Sequence, residues 1–248
     1  MTYAPTPTYD RPGGRAADEL RPVTFTPGFI RNAHGSVLVE MAGTRIICTA
    51  TVQEKVPRWM EGSGTGWVTA EYSMLPASTG QRKQRDRGGK VDGRSVEIQR
   101  LIGRSLRAVV DFAALGERMV TVDCDVIDAD GGTRCASICG GWVALKLALD
   151  PLVADGLVRE DPLTDVVSAV SVGVVSGMPR LDLEYVEDAA ADVDMNLVIT
   201  GRGELVEVQA SAEGATFPRA QFDELLDLAT GGCSRIAELQ QAVTLLRT

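Results

Sequence analysis

Gly131-Gly132-Thr133-Arg134 has the residue types and spacing of an anion site. Paired glycines let a backbone turn with positive φ and let a ligand come close. Where such a turn opens a helix, free N–H groups and the helix dipole favour negative charge. Arg134 adds a planar fork suited to phosphate oxygens. Arg94, beside Gly93 at the head of another helical stretch, offers a second cation where an anion would also meet backbone N–H groups. A second feature is acidic: Asp182, Glu184, Glu187, Asp188, Asp192 and Asp194 fall within thirteen positions. Hard divalent cations such as Mg2+ take a few carboxylates and keep waters. A carboxyl group can also protonate a leaving alkoxide. A third feature is basic: Arg82, Lys83, Arg85, Arg87 and Lys90 face only Asp86 and Asp92. Each feature has a plain alternative, namely an ordinary capped turn with a surface arginine, a solubilising acidic loop and a solvated charge run. Residue types alone leave these open.

The surrounding pattern shows what must position these groups. Residues 119–127 read as a buried strand and 135–149 as an apolar helix, so the glycine pair is a strand-to-helix turn with Thr133 as its expected N-cap. Residues 23–26, 36–41, 44–52 and 67–72 are strand-like, and Ala42-Gly43 signals a hairpin. The glycine run in 62–66 leads into a strand instead of a helix, which favours a loop over a phosphate cradle. Residues 94–114 predict one long helix with Ile98, Leu101, Ile102, Ser105, Val109 and Phe112 on its inner face. Arg100, Arg104 and Arg107 lie opposite, on a solvent or subunit-contact face. Residues 165–175 read as a central strand, 180–186, 197–200 and 205–211 as further strands, and 219–246 as two helices broken at Gly231-Gly232. The acidic run then sits between strands. The order predicts an α+β (mixed α/β) fold.

Bulk properties narrow the classes. The chain has 248 residues, enough for a sizeable core. A net charge of −9 means that nucleic-acid binding would require its basic residues to be concentrated locally. Five cysteines without a CxxC pair suggest reduced thiols and a cytoplasmic setting. Cys135 and Cys139 read as small core residues, since neither has a nearby histidine. His34 is the only histidine and fits a surface turn, which argues against a Ser-His-Asp triad. No apolar run suggests a membrane span. Residues 1–10 are expected to be a mobile extension preceding a single catalytic domain over 11–248.

Ordered motifs then carry a resemblance. G-S-V-L-V-E, V-P-R, G-W-V-T-A-E-Y-S-M-L-P, G-R-S-V-E-I-Q-R-L-I-G-R-S-L-R-A, D-C-D-V-I-D-A-D-G-G-T-R, D-L-E-Y-V-E-D, D-M-N and E-V-Q-A-S-A-E-G occur in succession. Together they resemble the bacterial ribonuclease PH family from Arg11 onward. The resemblance implies βαβα-type units around a mixed sheet and a homohexamer built as a trimer of dimers. It implies a phosphorolytic 3′→5′ exoribonuclease that uses inorganic phosphate to trim precursor tRNA beyond its CCA end. Nucleoside diphosphates are released, the reverse reaction extends RNA ends, and ribosomal RNA turnover is a further implied role. Residue by residue, Arg94, Gly132, Thr133 and Arg134 match the phosphate site, and Asp188 and Asp194 match the metal and acid positions, with Mg2+ implied. Arg82 and Arg85 match arginines of the tRNA-contacting loop. A third arginine expected just after Leu-Pro is Ala77 here, and the loop is one residue shorter, leaving Arg87 or Lys83 as its replacement. Two rival classes remain: a non-catalytic RNA-binding ring subunit of an exosome-like assembly, and an unrelated metal-dependent hydrolytic nuclease.

Overall fold

The computed structural model describes residues 11–85, 92–214 and 216–245. The expected extension over 1–10, together with Arg87 and Lys90, lies outside the described residues. Alternating apolar residues build a first sheet from β1 (Val23–Pro27), β2 (Gly35–Met41), β3 (Thr44–Gln53), β4 (Trp67–Met74) and β5 (Met119–Asp128). Its strand order is β1-β2-β3-β5-β4. Neighbours are antiparallel except β4 and β5, which run parallel. The parallel pair requires a crossover, which α1 (Gly93–Arg107) supplies. Ile46, Cys48 and Ala50 of β3 and Val120, Val122 and Val126 of β5 all point inward and are fully buried.

A second, antiparallel sheet consists of β6 (Val167–Val175), β7 (Met178–Leu181), β8 (Val193–Thr200) and β9 (Leu205–Ala212), in the order β7-β6-β8-β9. β6 is buried at every position, as its apolar run predicts. One face meets α3 (Thr133–Ala154), where the Ala169 N–H donates to Cys139 Sγ at 3.3 Å. The other meets α5 (Arg219–Leu245), where Ser168 Oγ donates to Cys233 O at 3.0 Å. α3 therefore lies between the sheets, packing on β2, β3 and β6. By length and hydropathy α3 reaches membrane-spanning range, contrary to the sequence reading. Its apolar surface is instead consumed by the two sheets, and fifteen of its 22 residues are buried.

Three expected elements differ. The helix predicted over 94–114 ends at Arg107. Val109 and Val110 are weak helix formers, and Val110 bridges to Leu163. The Asp111 carboxylate accepts from the N–H groups of Ala113 and Ala114, capping a separate α2 (Phe112–Leu115). The strand expected over 180–186 stops at Leu181 and gives way to α4 (Tyr185–Asp188). The two C-terminal helices are one continuous α5. Gly232 serves close packing there, since a Cβ would sit 2.7 Å from Leu181 Cδ1. Two arginines of the outer face of α1 are engaged within the chain, whereas Arg100 is exposed. Arg104 Nη2 pairs with Glu207 at 2.6 Å, and Arg107 lies 4.8 Å over the Trp67 ring. His34 keeps its turn role, with Nδ1 accepting from the Val52 N–H at 3.2 Å.

Candidate active site

The glycine turn joins the end of β5 to the start of α3. Gly131 and Gly132 have φ values of 75 and 68, in the left-handed region. A Cβ on Gly131 would come within 2.6 Å of Leu183 O, so the turn is pressed against the approach to α4. Gly132, not Thr133, is the N-cap residue. Thr133 is already helical, and its Oγ1 instead accepts a 3.0 Å hydrogen bond from the buried Tyr72 hydroxyl. The sequence reading missed Tyr72. Arg134 Nη1 donates to Gln209 at 3.1 Å and Nη2 to Glu97 at 3.3 Å, while its buried Nε has no partner among the described residues. Arg94 stands in the first turn of α1, where Asp92 caps the backbone. That cap occupies the Arg94 N–H and leaves its exposed side chain as the anion-seeking group.

Tertiary contacts divide the acidic run by role. Asp182 is buried against Arg21, with Oδ1 accepting from Nη2 at 2.7 Å. Glu187 is fully buried and receives Arg11 through Nε at 2.8 Å and Nη2 at 3.0 Å, plus Arg180 at 2.9 Å. Burial works to raise its pKa, but the hydrogen bonds from Arg11, the Glu184 backbone and Arg180 hold it below the ordinary range. Glu184 pairs with Arg15 at 3.2 Å. Residues from Arg11 onward are thus fastened to the fold. Asp192 is exposed. Asp188, at the end of α4, and Asp194, on β8, remain for chemistry. Partial burial of the Asp188 carboxyl raises its pKa, and the Asp194 charge adds to this, against the opposing pull of Arg94, Arg134 and Arg21. Asp194 Oδ1 accepts from Ser211 at 2.9 Å.

A small cavity of about 70 Å³ collects these groups. Arg94, Gly132, Thr133, Arg134, Asp188 and Asp194 line it, together with Ser171 and Asn196. Two larger hollows differ in their charge: one gathers only carboxylates, from Glu71, Asp123 and Asp125, and in the other Lys146 is already paired with Asp150 and Asp161. Among the described residues, neither arginine forms an ion pair with either aspartate, so cationic and anionic walls face one cavity unneutralised by each other. Ser171 and Asn196 are register partners on β6 and β8 and were missed from sequence. Strand alternation places Asn196 on the same face as Asp194, a signal already present in Asp194-Met195-Asn196. Asn196 Oδ1 accepts from Cys135 at 3.3 Å, leaving its amide N–H groups as donors. The carboxylates of Asp188 and Asp194 suit a Mg2+ that keeps several waters, while the Asn196 amide is placed to donate to an anion. Among the described residues, no group of three or more His, Cys, Asp or Glu side chains could hold a metal without such waters.

The described basic residues Arg82, Lys83 and Arg85 do not line this cavity. Arg82 and Arg85 are exposed and form no ion pair among the described residues, whereas Arg87 lies outside the described residues. Lys83 is committed to the α1 cap, with Nζ 2.9 Å from Asp92 Oδ2. The Lys83 hydrogen bond is the main cause lowering the Asp92 pKa, followed by that from the Arg94 N–H. Lys83 is thus held at the α1 cap, and Ala77 is exposed.

Comparisons with known proteins show the family. The 3′ exoribonuclease family, domain 1, matches residues 19–151, and domain 2 of that family matches residues 165–232. The Ribonuclease PH of Roseobacter denitrificans is 55% identical over 235 residues, covering 94% of this chain and 99% of that protein. The Ribonuclease PH of Syntrophomonas wolfei is 52% identical over 235 residues, covering 94% and 98%. Among solved structures, an Archaeoglobus fulgidus exosome with RNA bound to the active site has a similar fold. Its TM-score is 0.77 at 24% identity, covering 93% of this chain and 92% of that one. With both family domains in order over a shared cavity, the chain belongs to the 3′ exoribonuclease family.

Proposed function

We propose that this protein is a phosphate-dependent 3′→5′ exoribonuclease of the ribonuclease PH type. The observation that carries the reading is the single cavity joining Arg94, Gly132, Thr133 and Arg134 to Asp188 and Asp194. Phosphoryl transfer demands positioning and charge neutralisation more than covalent chemistry. Arg94 and Arg134 hold inorganic phosphate over the Gly132 and Thr133 backbone, with one phosphate oxygen in line with the terminal phosphorus. A new P–O bond forms as the bond from phosphorus to the 3′-oxygen breaks, and the terminal nucleotide leaves as a nucleoside diphosphate. One of the two aspartates, Asp188 or Asp194, supplies a proton to the departing 3′-oxygen. A Mg2+ held by Asp188 and Asp194 would neutralise charge on the scissile phosphate. A fixed anion site selects phosphate over water as nucleophile, and the same groups run in reverse to extend RNA.

Residues 11–248 act as one catalytic domain, a reading supported by a cavity that joins α1 and the turn after β5 to β6, α4 and β8. Arg82, Arg85 and Arg87 grip RNA, and precursor tRNA is the principal substrate, with ribosomal RNA as another. A homohexamer, assembled as a trimer of dimers, and a cytoplasmic setting complete the proposal. The five buried, unpaired cysteines support a reducing compartment. A non-catalytic ring subunit would not need the anion wall and the aspartates together. The deciding experiment incubates 3′-extended tRNA with and without phosphate and identifies the products. Phosphate-dependent release of nucleoside diphosphates is expected. Phosphate-independent release of monophosphates would establish hydrolysis instead.

A further inference from the structure

We propose that Arg21, held by Asp182 and assisted by Thr44, is a positioning residue that aims the backbone N–H groups of the phosphate turn. The proposal rests on the reading of that turn as the phosphate site. Arg21 does not line the cavity. It lies beneath the turn, just before β1, and is 2% exposed. Its Nη1 donates to Asp130 O at 2.6 Å, and its Nη2 reaches Gly131 O at 3.4 Å. Thr44, fully buried, donates from Oγ1 to Gly131 O at 2.7 Å and accepts from the Asp130 N–H at 2.8 Å. Both consecutive carbonyls before Gly132 are therefore fixed from below.

That restraint determines where the following N–H groups point. In a trans peptide, the carbonyl and the next N–H share a plane and point in opposite directions. Holding Asp130 O aims the Gly131 N–H, and holding Gly131 O aims the Gly132 N–H, away from Arg21 and Thr44. The glycine pair has no side chains with which to fix itself, and its left-handed φ values are open to many alternatives in a free chain. Orientation must come from neighbours.

Asp182 closes the arrangement. Oδ1 accepts from Arg21 Nη2 at 2.7 Å, and Oδ2 from the Arg21 N–H at 2.8 Å. Asp182 has φ 54, a backbone conformation that side-chain-bearing residues seldom adopt. It is held there by its N–H, which donates to Ser171 O at 2.7 Å. Ser171 lines the cavity, and its Oγ accepts from the Leu183 N–H at 3.2 Å on the way to α4. One buried ion pair thus fixes the phosphate turn of the first sheet relative to the second-sheet segment that carries Asp188.

Arg21→Met, Arg21→Met/Asp182→Leu and Thr44→Val separate positioning from plain stability. Melting temperature, kcat, phosphate KM and RNA binding without phosphate are measured for each. Arg21→Met leaves Asp182 buried without its partner and lowers the melting temperature. The double substitution removes both charges and recovers part of the stability, as apolar replacement of a buried pair can, less the strain of leucine at φ 54 and the lost acceptor for the residue 21 N–H. Phosphate KM is expected to rise about tenfold to a hundredfold in the double variant and in Thr44→Val, with RNA binding unchanged. Folded double and Thr44→Val enzymes with wild-type phosphate KM would overturn the proposal. Should both Arg21 variants fail to fold, Thr44→Val alone decides by the same criterion. Arg134→Ala serves as control: unchanged phosphate KM there overturns the site assignment itself, and the positioning role with it.

Discussion

Arg134 Nη2 and Glu97 Oε2 lie 3.3 Å apart, tying the first turn of α3 to α1 beside the cavity. The pair holds the Arg134 fork in place, and it also puts a negative charge next to the proposed phosphate site. Glu97→Gln removes that repulsion, so phosphate KM is expected to fall severalfold. Arg94→Ala and Arg134→Ala are expected to slow phosphorolysis by about two to three powers of ten, or roughly 2–4 kcal/mol at the transition state, with the fold intact. Rates at limiting phosphate, with circular dichroism as a folding control, check all three.

Asp188 yields a prediction with a definite sign in pH. Its pKa is raised in the folded protein by partial burial and by Asp194. The folded chain therefore binds this proton more tightly than the unfolded chain does. Its charged form opposes folding at neutral pH, and the penalty disappears as pH falls below the unfolded carboxylate range. Asp188→Asn should abolish phosphorolysis while modestly raising the melting temperature at pH 7, with the gain shrinking toward acid. Asp194→Asn should also cripple catalysis while sparing RNA binding. Thermal melts across pH, paired with activity assays, test these outcomes.

Glu187, one residue before Asp188, should behave in the opposite way. It is fully buried and held by Arg11, Arg15 and Arg180. Glu187→Ala leaves buried guanidinium groups without their shared acceptor and is expected to cost about 3–5 kcal/mol of stability. Denaturant unfolding measures the loss. Stability equal to wild type would show that the arginines find other partners.

Arg82, Arg85 and Arg87 should separate substrate grip from chemistry. Replacing all three by Ala is expected to weaken processing of 3′-extended tRNA strongly while sparing short single-stranded RNA and phosphate KM. The slope of log K against log salt for tRNA should become shallower by about two units if about three phosphate contacts are lost. Parallel salt series on both substrates provide the measurement. Equal losses on tRNA and short RNA would place the arginines in the catalytic centre.

Sequence by itself determined the parts whose cause is local. Strand alternation, the Ala42-Gly43 hairpin and the left-handed requirement at Gly131-Gly132 depend on neighbouring residues and were legible without coordinates. The candidate residues Arg94, Gly132, Thr133, Arg134, Asp188 and Asp194 were also named from sequence, and the fold brings them into one cavity. Tertiary structure decided whatever depends on long-range partners. Six acidic residues look alike in sequence, yet Arg21 engages Asp182 and Arg11 engages Glu187 from more than 150 positions away, while Asp188 and Asp194 form no ion pair with an arginine among the described residues. Gly231-Gly232 reads as a break, but α5 runs through it because Leu181 occupies the space above Gly232. Thr133 reads as a cap until Tyr72 is seen to claim its hydroxyl. A side chain's type limits the bonds it can form, whereas burial and the partners brought by the fold decide which of those bonds exist.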